Sequence, residues 1–136
     1  MVLEGRIWKS GKFWLVEIPG LDYVTQGFSQ KEALEMAEDI VKTGVDKKGF
    51  KVTATLLSSK TFSIVSNDSK ALIAHMLKRL RQKNGLTVRE VSKRLGSSSP
   101  NAFGLYEQGK STPTLEKLEE LIHAIDPAHS VILKIA

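Results

Sequence analysis

Hydrophobic residues recur along this chain with two different periods, and the change from one to the other falls near residue 66. The first stretch has a period of two. Leu3 to Trp8 alternates weakly, Lys12 to Ile18 is rich in Phe, Trp, Val and Ile, and Ser10-Gly11 stands between them, which predicts a β-hairpin. Pro19-Gly20 breaks the ladder, and Tyr23 to Gln26 is a candidate short third strand before Gly27. A helix follows. Ser29 and Glu32 have capping-box spacing, Phe28 is placed to staple onto Ala33, and Gly44 is the expected stop. Leu34, Ala37, Ile40 and Val41 make its apolar stripe, while Glu32, Glu35, Glu38, Asp39 and Lys42 lie mostly off it. Lys51 to Leu57 and Thr61 to Val65 are β-branched runs around Ser58-Ser59-Lys60 and predict a further strand or hairpin.

Past the turn-prone Ser66-Asn67-Asp68-Ser69 the period becomes about 3.6, so the expected domains are residues 1–66 and 67–136. Four helices are predicted. Ser69 to Lys83 carries Leu72, Ile73, Met76, Leu77 and Leu80 on one face and ends at Asn84-Gly85. Thr87 and Glu90 form a capping box, Leu86 can staple to Val91, and Gly96 closes that second helix. A short third helix is expected from Ser99, with Pro100 in its first position, to about Gln108. The fourth runs from Thr114 to Ile125, with Leu115, Leu118, Leu121, Ile122 and Ile125 as its buried stripe. The tail Val131 to Ile135 is a last β-type run, which either pairs with another chain or stays without structure. The fold class is thus α+β: a small N-terminal sheet with a helix, followed by an all-α bundle.

The chain has 136 residues, 41% hydrophobic and 26% charged, as expected of an ordinary soluble protein. No apolar run approaches the roughly 20 residues of a bilayer span, and no basic-then-apolar leader opens the chain, so no membrane partner and a cytoplasmic location are expected. The absence of cysteine removes a disulfide framework, a thiolate nucleophile and cysteine-ligated zinc. Halves of about 65 residues are marginal alone, so a homodimer or higher homo-oligomer is the default expectation.

The net charge of +5 matters through its distribution. Residues 1–66 carry nine Lys/Arg against eight Asp/Glu, and residues 67–136 carry eleven against seven. Lys78, Arg79, Arg81, Lys83, Arg89, Lys93 and Arg94 are opposed between positions 78 and 94 only by Glu90. A solvated helical face has the same appearance. What favours duplex DNA is the short connection Gly96-Ser97-Ser98 between the second and third helices, which can hold the third as a major-groove probe.

The stretch LRQKNGLTVREVSKRLGSSSPNAFGLYEQGKSTPTLEKLEELIHAI resembles repressor domains of the Xre and phage-repressor type, in LxxxxGLTxxEVxxRLG and in YEQGKSTPTLEKL. It differs from their commonest pattern in Val88, where many have Gln, and in a connection between Gly96 and Glu107 that is one residue longer. Helical geometry sets Phe103 and Tyr106 about 60° apart as anchors. The opposite side then offers Asn101, Gly104, Leu105 and Gln108, of which Asn101 and Gln108 can make two-bond contacts to adenine and Leu105 can touch a thymine methyl. Ser98, Ser99, Arg89, Lys93, Arg94 and Lys110 suit phosphate. Each of these is also an ordinary surface residue, and the bundle could be a helical module that binds no DNA.

The run FWLVEIPGLDYVTQGFSQKEALEMAEDIV resembles the N-terminal domain of HicB antitoxins, in IPxLxxxxTQGxSxxEALxMAxD between Ile18 and Asp39. SSSPNAFGLYEQGK is similar to the helix-turn-helix branch of that family. The resemblance implies a partial ribonuclease-H-like α/β domain that covers a small mRNA-cleaving HicA-type toxin, and a second domain that represses the shared operon by binding operator DNA. Trp8, Phe13, Trp14 and Tyr23 are candidate aromatic anchors for a partner. Alternation sets Phe13 and Leu15 on one side of the strand and Trp14 and Val16 on the other, so one pair is core. Edge strands such as Leu3 to Trp8 offer a second route, through addition of a partner's strand.

No enzyme is expected. The carboxylates of the first half lie mostly on the solvated side of the helix, and Glu17 and Asp22 are too few to hold a metal pair. His75, His123 and His129 are read on polar faces and in the tail, and no phosphate loop or Ser/His/Asp pattern occurs, so neither metal nor cofactor is expected. The alternative to an antitoxin is a stand-alone phage-type repressor whose N-terminal domain oligomerises or senses a ligand.

Overall fold

The computed structural model describes residues 1–135 and divides the chain into two compact units, Met1–Leu72 and Ile73 onward. In the first unit, β1 (Val2–Ser10), β2 (Phe13–Ile18) and β3 (Tyr23–Gly27) form a meander, α1 (Gln30–Val45) follows, and β4 (Val52–Leu56) and β5 (Thr61–Ser66) form a hairpin. The five strands are ordered β3-β2-β1-β5-β4 and every neighbouring pair is antiparallel. β1 is therefore the central strand, and the reading of Leu3 to Trp8 as an edge is corrected: the edges are β3 and β4. Sequence adjacency cannot show that β5 returns to the free side of β1, with Leu3 opposite Ile64 and Gly5 opposite Phe62.

Strand alternation sorts the side chains. Ile7, Val16, Ile18, Phe62 and Ile64 are buried on the face that α1 covers with Ala33, Ala37 and Val41. Each large aliphatic or aromatic side chain withdrawn from water there contributes about 1.5–3 kcal/mol. The alanines let the helix approach closely, and the buried stripe runs through Ala33 rather than the half-buried Leu34 and Ile40. Two glycines are required by close approach, one between strands and one under the helix: a Cβ on Gly5 would lie 2.3 Å from the Phe62 ring, and one on Gly27 would lie 2.5 Å from the Ala33 backbone nitrogen. The hairpin turn is Gly11-Lys12 rather than Ser10-Gly11, because Ser10 pairs with Phe13 and Gly11 supplies the positive φ of 61°.

Ser29 caps α1 by accepting the Glu32 N–H at 3.1 Å, as its spacing predicts. The helix passes through Gly44 and stops at Asp46, which takes the left-handed conformation and donates its N–H to the Lys42 carbonyl. Aspartate tolerates that conformation nearly as asparagine does. Phe28 is 67% exposed and meets the Phe13 ring at 5.2 Å between centroids. At the β4 edge, Glu38 accepts the Ala54 N–H at 2.9 Å, leaving one fewer bare donor there.

The first unit runs to Leu72, six residues past the end expected at residue 66. Asn67 bridges the Lys51 N–H and the Gly49 carbonyl, and Asp68 pairs with Lys47 at 2.6 Å while capping the Ala71 N–H, so the first turn of α2 (Ser69–Lys83) is tied to the sheet unit. The Lys47 ammonium first, and the Ala71 N–H second, hold the Asp68 carboxyl below its usual range.

In the second unit α2 continues and is followed by α3 (Val88–Arg94), α4 (Ala102–Glu107) and α5 (Leu115–Ile125). Leu77, Val91, Phe103, Leu118, Leu121, Ile122 and Ile125 form its core. Gly85 ends α2 with φ 65°, and the Thr87–Glu90 capping box starts α3 with both reciprocal bonds present. Two expectations are corrected. α4 begins at Ala102 with Asn101 as its N-cap, and Pro100 lies in the preceding turn: Ser97 and Ser99 hydroxyls accept the backbone N–H groups of Ser99 and Asn101, which favours turns over helix. Leu115 is 55% exposed, because the core-facing side of α5 runs through positions 118, 121, 122 and 125. Residues 129–135 have no regular secondary structure. No helix among the described residues is long and apolar enough to cross a membrane.

Candidate nucleic-acid interface

A six-residue helix has no stability of its own, since one turn closes few hydrogen bonds for the backbone freedom it removes. The surroundings of α4 must therefore supply its position. Phe103 is fully buried in the core and Tyr106 packs against it, which fixes the inner side of α4. The fully buried Ser92 of α3 donates its hydroxyl to the Val88 carbonyl at 2.9 Å and accepts the Phe103 N–H at 3.1 Å. One oxygen thus joins α3 to the start of α4. At the other end of α4, Glu107 receives a two-bond contact from Arg81 of α2, both distances 2.6 Å, and Arg81 also donates to the Leu86 carbonyl at 2.8 Å. The pair is largely shielded, with 15% and 9% of its side chains exposed. The Glu107 carboxylate holds the Arg81 guanidinium above its usual pKa, against the opposing effect of burial.

Gly96, with φ 74°, turns the chain out of α3, and Gly109, with φ 69°, turns it out of α4. A short helix so pinned at both ends, following a short connection from another, is the arrangement that presents side chains to a DNA groove. Residues 72–126 match the family model of a helix-turn-helix domain. No curated protein matches the chain.

Within this helix-turn-helix domain, Asn101, Leu105 and Gln108 stand exposed on one side of α4, with Leu105 49% exposed. Ser98, Ser99, Arg89, Lys93 and Lys110 are exposed as well. Gly104 differs from them: it is buried, and a Cβ there would meet Val88 at 3.5 Å and the Gln108 side chain at 3.7 Å. The hundred-degree step between adjacent helical residues carries position 104 toward α3 while 105 remains outside. Arg94 is exposed but already engaged, its guanidinium donating to the carbonyls of Ala124 and Ile125 at the end of α5 at 3.2 and 3.3 Å. It can reach phosphate only with its remaining donors. Arg81 also leaves the basic run, consumed by Glu107. Ser92 and Glu107 have roles that spacing did not reveal. A serine within an apolar period was the available signal for the first.

His75 is buried, not on a polar face, and burial above all, then Arg79 and Lys78, lower its pKa to about 4, so it is neutral at neutral pH. His123 is exposed, and His129 contacts Asp126 at 2.8 Å. The Ala128 N–H, followed by His129 and Asn84, keeps the Asp126 carboxyl below its usual range. Among the described residues no three His, Asp or Glu side chains gather as a metal site.

The four aromatic candidates of the first unit do not gather on one face. Trp8 and Phe13 lie away from α1, while Trp14 and Tyr23 share the α1 side with Val16 and Ile18 and are half-buried. Trp8 pairs across the strands with Leu15, and Arg6 beside it makes a two-bond contact to Glu17 at 2.9 Å. Phe28, tilted against Phe13, extends this aromatic surface; the sequence had offered it as a staple onto Ala33 and not as a partner anchor.

Proposed function

We propose that this chain is a transcriptional repressor of the antitoxin type, which binds operator DNA through α3 and α4 and a small HicA-type toxin through its sheet unit, and that it has no catalytic role. The observation that carries the DNA reading is the pinned α4 with Asn101, Leu105 and Gln108 facing outward. Asparagine and glutamine can each give an adenine its donor and acceptor at once, and leucine can cover a thymine methyl. Arg89, Lys93 and Lys110, with the hydroxyls of Ser98 and Ser99, contact phosphates and set the register without reading sequence.

The toxin reading is supported by the likeness of residues 18–39 to HicB antitoxins and by the exposed Trp8 and Phe28 beside the half-buried Phe13 and Leu15. Large aromatics of this kind anchor protein interfaces.

Gel shifts at two salt concentrations test the DNA reading. Asn101→Ala is expected to weaken operator binding while sparing random DNA, by the 1–3 kcal/mol typical of a lost two-bond base contact, or about 5–150-fold. Equal losses on both DNAs refute the assigned role. Co-expression of the full chain with a neighbouring short basic reading frame tests the second half of the proposal. Failure to retain that product on the tagged chain removes the toxin reading and leaves the DNA reading standing.

A further inference from the structure

The chain that leaves α5 ends in an unusual way for a charged, water-exposed segment. Asp126 accepts the Ala128 N–H at 3.0 Å and contacts His129, so the exit from the helix is fastened. Val131 then packs against the core of the helical unit. Beyond it Ile132, Leu133 and Ile135 are 88%, 71% and 91% exposed, with Lys134 as the one charge among them. Three large aliphatic side chains in water, on a segment rich in β-branched residues, give it the composition of a strand but no strand to pair with.

We propose that this segment pairs with the same segment of a second copy of the chain, in an antiparallel two-stranded ribbon centred on Leu133. The sequence is self-complementary in that register and in no other as fully. With Leu133 opposite the second copy's Leu133, Val131 faces Ile135 and Ile132 faces Lys134, so the three odd-numbered aliphatics of both copies share one side. Parallel in-register pairing sets lysine against lysine, as does the antiparallel register shifted toward Ile135, in which Lys134 opposes itself. Shifting by one residue mixes the apolar side with Lys134. Val131 belongs to the same side as Leu133 and Ile135 and already rests on the helical core, so the apolar side of the ribbon is continuous with that core in each copy. An isologous contact of this type uses the same edge of both copies and closes on itself as a dimer. It joins two DNA-reading units about a two-fold axis, the symmetry that an inverted-repeat site demands.

This inference goes beyond the DNA reading and is testable without DNA. The chain has no cysteine, so Leu133→Cys introduces a single thiol at the centre of the ribbon. Mild oxidation of the full-length variant is expected to yield covalent dimer at least roughly ten-fold faster than Lys134→Cys, whose two copies are offset along the strands and outside disulfide reach. In sedimentation, wild type is expected as a dimer and Leu133→Asp as a monomer that keeps its helical content by circular dichroism, since position 133 lies outside the core. Leu133→Asp is further expected to lose about 100-fold in affinity for a two-half-site operator but little for a single half-site. Equal cross-linking of the two cysteine variants, a dimer that survives Leu133→Asp, or a monomeric wild type overturns the proposal. So does cross-linking of Leu133→Cys to a cysteine placed in β3 or β4, which would make the sheet edge of another copy the true acceptor.

Discussion

The two units of this protein solve the same problem of orientation by different means. In the sheet unit, α1 is set against the strands mainly by apolar side chains and by backbone approach at Gly27, with a single hydrogen bond from the Ala54 N–H to Glu38 at the β4 edge. In the helical unit, α4 is too short to be placed by a hydrophobic stripe, and a buried hydroxyl and a shielded ion pair complete the work that Phe103 begins. Apolar packing sets a distance and tolerates rotation, whereas hydrogen bonds with defined partners set an angle. Under the proposed function the sheet unit needs only the first, and a helix offered to base edges needs the second.

The contrast can be broken experimentally. The largest effect is expected from Glu107→Ala, which leaves Arg81 shielded and unpaired: about 3–5 kcal/mol of stability lost, read by chemical unfolding, together with loss of operator binding. Joint replacement of Arg81 and Glu107 by Met and Leu is expected to recover most of the stability. If it recovers operator binding as well, the ion pair has no part in orientation. In the sheet unit Gly27→Ala is expected to cost about 1–3 kcal/mol through overlap with the α1 backbone while leaving the helical unit's DNA affinity intact. A matching drop in operator binding by this variant would show that the units do not keep separate roles.

Smaller effects sharpen the comparison. Ser92→Ala leaves the buried Phe103 N–H without its acceptor and is expected to lower stability by about 1–2 kcal/mol. Operator affinity should fall more than stability predicts, because α4 is then free to rotate. Gly104→Ala has the opposite sign: a methyl group there meets Val88 at ordinary contact distance, and removal of a helical glycine is expected to add about 0.5–1 kcal/mol. Operator binding should be unchanged, and a large loss would return Gly104 to the DNA side. Arg6→Ala, at an exposed pair, is expected to move the unfolding midpoint least, by under about 1 kcal/mol.

Local chemistry determined much of this protein before any fold was considered. The caps at Ser29, Thr87 and Thr114, the stops at Gly85 and Gly96, and the change of period near residue 66 are decided by neighbours within a few residues, so they are legible in order along the chain. Leu3 to Trp8 showed its alternation but not its place, because its position at the centre of the sheet depends on β5, nearly sixty residues away. Asn101, Leu105 and Gln108 could be named from helical spacing. That Gly104 turns inward, Arg94 fastens α5, Arg81 serves Glu107 and Ser92 holds Phe103 was decided by tertiary structure alone. The physical reason is common to all four: a polar or small side chain has no preferred partner in sequence, and only the burial created by the folded core determines which donor and acceptor must find each other.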